Sequence, residues 1–121
     1  MESSAITAIT ALLERHAFRF TRERELQDGI ARVLEQAHIP FHREASLDGA
    51  GTIDFLVGGG LGLEVKIAGT LAEVTRQLHR YADHARVDAL VLVTSRLSLA
   101  RLPRALAGKP LSVVHLGRSW L

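Results

Sequence analysis

Apolar residues along this chain recur in two periods. Ile6, Ile9, Leu12 and Leu13 fall on one helical stripe behind Ser3 or Ser4, either of which can cap a helix. Thr21 can cap a second helix, with Glu23 in its first turn and Leu26, Ile30, Val33, Leu34 and Ala37 on its apolar face. That helix must end before Pro40, because the residue before a proline avoids the helical region. The period then changes to two. Phe41, Arg43, Ala45 and Leu47 alternate with His42, Glu44 and Ser46, which predicts a strand. Residues 48–51, DGAG, read as a turn. TIDFLV and LGLEVKI read as strands of a hairpin joined across Gly58, Gly59 and Gly60. Thr70 and Glu73 form a capping box for a helix with Val74, Leu78, Tyr81, Ala82 and Ala85 inward. The apolar run Ala89 to Thr94 predicts a strand buried on both faces. A short helix over 98–107, broken near Pro103, and a strand over 111–116 complete the order α-α-β-β-β-α-β-α-β. This is an α/β pattern: a mixed central sheet flanked by helices.

Length and composition narrow this little further. The 121 residues, 47% hydrophobic and 23% charged, suit one packed domain. The net charge is +2. Of the 15 basic residues only Lys66 and Lys109 are lysines, so 13 are arginines, which admits a nucleic-acid partner as readily as a solvated surface. There are no cysteines, which excludes disulfides and thiolate metal sites. The start, MESSAITAITALLERH, has no basic region before its apolar stretch, and Glu14 and Arg15 cut that stretch short. A cytoplasmic protein with no membrane partner is expected.

The hairpin carries the chemistry. Asp54 interrupts its first arm; Glu64 and Lys66 share one face of the second, with Leu63, Val65 and Ile67 on the other. If Asp54 lies across from Glu64, two carboxylates and one ammonium converge. Two carboxylates about 4 Å apart repel by roughly 4 kcal/mol at an effective dielectric near 20. One lysine offsets only part of this, and a hard divalent cation such as Mg2+ fits better. Such an ion can polarise a phosphoryl oxygen and acidify a water, and Lys66 would then act on that water or on the developing phosphate charge.

Asp54 followed after nine residues by Glu64-Val65-Lys66 resembles the D…(D/E)xK signature of the PD-(D/E)XK nucleases, among them small RecB-like and Holliday-junction-resolvase-like enzymes. Ile53 stands where the family name has proline. The resemblance implies a restriction-endonuclease-like α-β-β-β-α-β core, which the element order from Thr21 to Thr94 matches. The chain then divides into an N-terminal helix (1–20), a catalytic core (21–94) and a C-terminal α-β extension (95–121) within one domain. It implies Asp54, Glu64 and the Val65 carbonyl as metal ligands for Mg2+, with Mn2+ able to substitute, and Lys66 as the catalytic base or electrostatic partner. The family's first helix often adds an acid. Glu23 shares the face turned to the sheet and is the first choice, Glu25 the second. Gln77 and Tyr81, four apart on the next helix, are similar to the QxxxY of RecB-like members. They and the i, i+4 pair Arg76 and Arg80 are expected to bind substrate or to assist, with surface packing as the plain alternative.

The implied function is Mg2+-dependent hydrolysis of phosphodiester bonds, most readily in DNA. The alternative is a catalytically inactive nucleic-acid-binding or assembly module on a nuclease scaffold. The core takes up most of the chain, so structure-selective or non-specific cutting, or a partner protein that supplies specificity, is expected rather than a restriction-type target; a homodimer or higher homo-oligomer is the expected assembly. Glu44 could approach the site from the neighbouring strand, but an exposed position is favoured. The six histidines are scattered, without metal-ligand spacing, and GGGLG lacks the spacing of a phosphate loop.

Overall fold

The computed structural model describes residues 2–117, with side chains from Ser4 onward. Two helices, α1 (Glu2–Glu14) and α2 (Glu23–Gln36), precede strands β1 (Phe41–Leu47), β2 (Gly51–Val57) and β3 (Leu61–Lys66). Helix α3 (Leu71–Ala82) leads to β4 (Ala89–Thr94). A 3-10 turn (Leu97–Arg101), a two-residue β5 (Ala105–Leu106) and β6 (Lys109–His115) follow. The six strands form one mixed sheet in the order β1-β2-β3-β4-β6-β5. β1, β2 and β3 are antiparallel neighbours, whereas β3, β4 and β6 run parallel. The chain is therefore α/β, a six-stranded mixed sheet covered by three helices. No helix among the described residues is long and apolar enough to cross a membrane.

Each face of the sheet carries its own core. On one face Ile6, Ile9 and Leu13 of α1 and Leu26, Ile30 and Leu34 of α2 pack on Phe55, Leu63, Val65, Val91 and Val93. On the other, Val74, Leu78 and Tyr81 of α3, with Leu99 and Leu102, cover Ile53, Leu56, Leu90, Leu92 and Leu111. β4 is buried at every position, because both layers cover it. Gly58 (φ +57°) supplies the left-handed residue of the β2–β3 turn.

Several expected boundaries move. α1 begins at Glu2, so Ser4 lies within its first turn; the alternative cap, Ser3, has no described side chain. Arg22, not Thr21, is the N-cap of α2. Thr21 instead donates its amide and hydroxyl to Glu25 Oε1, at 2.7 and 3.0 Å. Ala37 caps the C-terminus of α2 and is exposed. α3 ends at Ala82 with Asp83 as its cap, so Ala85 lies beyond the helix and is exposed rather than inward. The helix expected over 98–107 is one 3-10 turn followed by β5, because Pro103 stops helical continuation and Ala107 (φ +51°) with Gly108 turns the chain into β6. Of the C-terminal extension, 118–121 lie outside the described residues.

Candidate active site

The β2–β3 ladder stops one rung short of its polar end. Phe55 pairs with Leu63, Leu56 with Gly62 and Val57 with Leu61. The next rung would pair Asp54 with Glu64, and there side chains replace the backbone bonds. The Asp54 amide donates to Glu64 Oε1 at 3.0 Å, and the Val65 amide donates to Asp54 Oδ2 at 2.8 Å. Each carboxylate thus satisfies an amide left open where the strands part, and each is fixed by the other's strand. Glu64 is 3% exposed and is the one buried acid among the described residues. Lys66, two residues on and on the same face, places Nζ 3.6 Å from Glu64 Oε2 and keeps 22% of its side chain exposed.

The face of β2 reverses at Asp54. Ile53 belongs to the α3-side core and Phe55 to the α1/α2 side, although strict alternation would put both on one face. β1 does the same at Glu44: Phe41 packs on the α1/α2 side, Ala45 and Leu47 on the other. The ladder pairs Arg43 with Phe55 and Ala45 with Ile53 and skips the rung between them, Glu44 opposite Asp54. Glu44 lies there at φ +51°, a left-handed conformation rare for a non-glycine residue within a strand. Both strands turn over together, and the turn sets Asp54 toward the Val65 amide.

Helix α2 closes the site from the opposite layer. Glu23 Oε2 accepts the Ile67 amide at 3.1 Å, immediately after β3. Glu25 faces the other way. It accepts from Thr21 and Arg22, is half-buried, and is held down to about 2, first by the Thr21 amide. Of the two, Glu23 is the one that reaches the end of β3. An ion-pair network seats this first turn on β1: Arg24 Nη1 lies 2.7 Å from Glu44 Oε2, and Arg43 Nη1 lies 3.0 Å from Asp28 Oδ1. The Arg43 guanidinium also stacks 5.5 Å above the Phe55 ring, and its Nη2 is buried with no hydrogen-bond partner. Glu44 itself is exposed and is paired to Arg24 rather than directed to the carboxylates.

Gln77 and Tyr81 do lie on one face of α3, and they bond each other. Gln77 Nε2 donates to the Tyr81 hydroxyl at 2.9 Å, and that hydroxyl donates to the Thr52 carbonyl at 2.8 Å. The pair thereby braces β2 two residues before Asp54. Arg76 and Arg80 are exposed on the outer side of α3.

The electrostatics follow from burial. Glu64 is pushed up to about 8, first by desolvation and then by the neighbouring Asp54 charge, against the partial relief of the Asp54 amide and Lys66. Asp54 is raised as well, mainly by burial and further by Glu23, while the Val65 amide and Lys66 pull it down. The two carboxyls are close enough for one to hydrogen-bond the other, so they titrate as a pair. Tyr81 is pushed up to about 12, by burial and then by Glu64.

Such a pair is under-neutralised by one lysine, and its donors are hard oxygens, the chemistry a divalent cation such as Mg2+ prefers. Among the described residues no three His, Cys, Asp or Glu side chains form a group that could hold a metal, and Glu23 turns to the Ile67 amide. What the structure brings together is thus a carboxylate pair, Asp54 and Glu64, and not an acidic triad.

The sequence pattern did not single out Arg43 or the Glu44 turn. One signal was present: Arg43 sits on the otherwise apolar stripe of β1, where a charge needs a partner.

No protein-family model matches the chain, and no curated protein and no solved structure matches it either.

Proposed function

We propose that this chain is a Mg2+-dependent nuclease of the PD-(D/E)XK type with a restriction-endonuclease-like core, hydrolysing phosphodiester bonds, most readily in DNA. The observation that carries the reading is the pairing of half-buried Asp54 with buried Glu64, with Lys66 Nζ 3.6 Å from Glu64. Asp54, Glu64 and the Val65 carbonyl would hold the ion. When bound, it would polarise the phosphoryl oxygen and lower the pKa of the attacking water. Lys66 is exposed enough to meet substrate and would orient that water or stabilise charge building on the phosphate. Glu23, through its hold on Ile67, would fix the end of β3 that carries Lys66. Gln77 and Tyr81 would act by bracing β2, and Arg76 and Arg80 offer charge to a phosphate backbone beyond the site.

A second reading, a non-catalytic nucleic-acid-binding or assembly module, is favoured by one observation: both carboxylates already commit an oxygen to a backbone amide. Purified protein incubated with Mg2+ or Mn2+ and single-stranded, duplex, flapped and branched DNA separates the two. Metal-dependent cleavage of any of these supports the nuclease. Binding without cleavage under every metal condition supports the module.

A further inference from the structure

The outer face of α2 and the α1–α2 connection form a second polar concavity, separate from the carboxylates. His16, Phe18 and Arg19 of the connection face Gly29, Arg32 and Gln36 of α2 across a cleft of about 330 Å3. No Asp or Glu lines it. Arg19 and Arg32 are exposed and make no ion pair among the described residues, as is true of Arg101 and Arg104 elsewhere on the surface. His16 bonds the Leu12 carbonyl through Nδ1 at 2.9 Å, which makes that nitrogen the donor and leaves Nε2 as the ring's other polar atom.

The floor of the cleft explains a glycine in mid-helix, a position where glycine costs about 1 kcal/mol against alanine. A Cβ on Gly29 would stand 3.0 Å from Phe18 Cδ1 and 3.8 Å from Arg32 Nη2. Any side chain there would press on Phe18 and intrude beside the guanidinium. The concavity is therefore open, cationic and free of internal neutralisation, and guanidinium forks match phosphate oxygens in pairs.

We infer that this cleft is a second binding site for nucleic-acid phosphate, an inference that rests on the nuclease reading. Helix α2 links the two places. Its first residue, Glu23, holds the end of β3, and Arg32 lies nine residues further along, roughly 13 Å along the axis at 1.5 Å per residue and, at about 100° per residue, on the opposite side of the helix. That span corresponds to about four base-pair steps of 3.4 Å. A strand held at Asp54 and Glu64 would then have to pass round α2 to set a phosphate several nucleotides away between Arg19 and Arg32. The cleft would anchor the substrate without reading its sequence.

The test is affinity of the full chain for a labelled DNA duplex in EDTA, measured over a salt series so that cleavage plays no part. The double variant R19Q/R32Q should lose about tenfold or more at low salt, and its log–log salt slope should shrink by about 2, one unit for each lost phosphate contact. R101Q/R104Q removes the same charge from exposed positions elsewhere and should move both quantities much less. Circular dichroism should show both variants folded. Equal affinity in R19Q/R32Q and wild type overturns the cleft, as does an equal loss in R101Q/R104Q. If inorganic phosphate perturbs the Arg19 and Arg32 NMR signals while DNA affinity is unmoved in R19Q/R32Q, the cleft takes a small anion and the inference falls. Because Lys66-dependent cleavage is scored separately, loss of the cleft leaves the nuclease reading standing. A wild-type chain that neither binds nor cleaves DNA removes both.

Discussion

The amide of Asp54 is held by the carboxylate of Glu64 at 3.0 Å, so the residue that repels Glu64 through its side chain also secures it through its backbone. Glu64 can stay buried and Asp54 half-buried only because each completes hydrogen bonds that the parting strands leave open. The remaining charge of the pair has one nearby cation, Lys66.

Stability should respond to pH and to metal at this pair. A carboxyl that holds its proton more tightly in the folded chain than in the unfolded one makes stability fall as pH rises between the two pKa values. For Glu64 that window runs from about 4.5 to about 8, and the raised Asp54 adds to the same trend. Urea melts in EDTA should lose several kcal/mol across it and level off above it. Millimolar Mg2+ or Mn2+ should restore stability at pH 8 more than at pH 5. Asp54→Asn keeps an acceptor for Val65 but removes a charge, so it should flatten the pH profile and blunt the metal response. A melting curve indifferent to pH and metal would argue that the pair carries no net strain.

Lys66 should separate binding from chemistry. Lys66→Ala leaves both carboxylates and removes a small part of the phosphate attraction, so DNA affinity should change little. Single-turnover cleavage should fall by orders of magnitude, because the lost charge acts on the water and the transition state. With the lysine gone, Glu64 should be raised further still, moving the end of the metal-free pH window upward. Lys66→Arg should not rescue cleavage, since a guanidinium neither fits the ammonium's place nor gives up a proton near neutrality. Unchanged cleavage in Lys66→Ala would remove the proposed mechanism.

Glu44 should be required for its backbone more than for its charge. Glu44→Gly tolerates φ +51° and loses only the exposed pair with Arg24, so the fold should lose little. Glu44→Val places a β-branched residue in the left-handed region and should cost about 1–2 kcal/mol or more. The Val65 amide signal, which reports the bond to Asp54, should move in Glu44→Val and stay near its wild-type position in Glu44→Gly. Identical spectra for both variants would dismiss the link between the β1 turn and Asp54.

Tyr81 should matter first to β2. Tyr81→Phe leaves the Thr52 carbonyl and Gln77 without their shared partner and should cost about 1–2 kcal/mol by thermal or urea melts. Tyr81→Ala opens a core cavity and should cost about 3 kcal/mol or more. Gln77→Ala should slow cleavage modestly with folding intact, by loosening that hydroxyl. Cleavage at the wild-type rate in Gln77→Ala would reduce the pair to packing.

Hydrophobic period alone determined the order of the elements from α2 to β4, because each strand or helix there buries one regular face or both. It also placed Glu64 and Lys66 together, since residues two apart on a strand share a face by geometry. Where the period is short or broken it failed. The segment after Leu97 has too few periodic positions to tell a 3-10 turn and a two-residue strand from a helix. Ala85 continues the helical spacing of α3 past the point where Asp83 caps it. Only tertiary structure shows which of Glu23 and Glu25 reaches β3, because that depends on which carboxylate meets the Ile67 amide, 44 residues away in sequence. The left-handed turn at Glu44 was likewise invisible, since a glutamate carries no local preference for it. The strain is tolerated because β1 and β2 reverse faces together, and that pairing exists only once the sheet has formed.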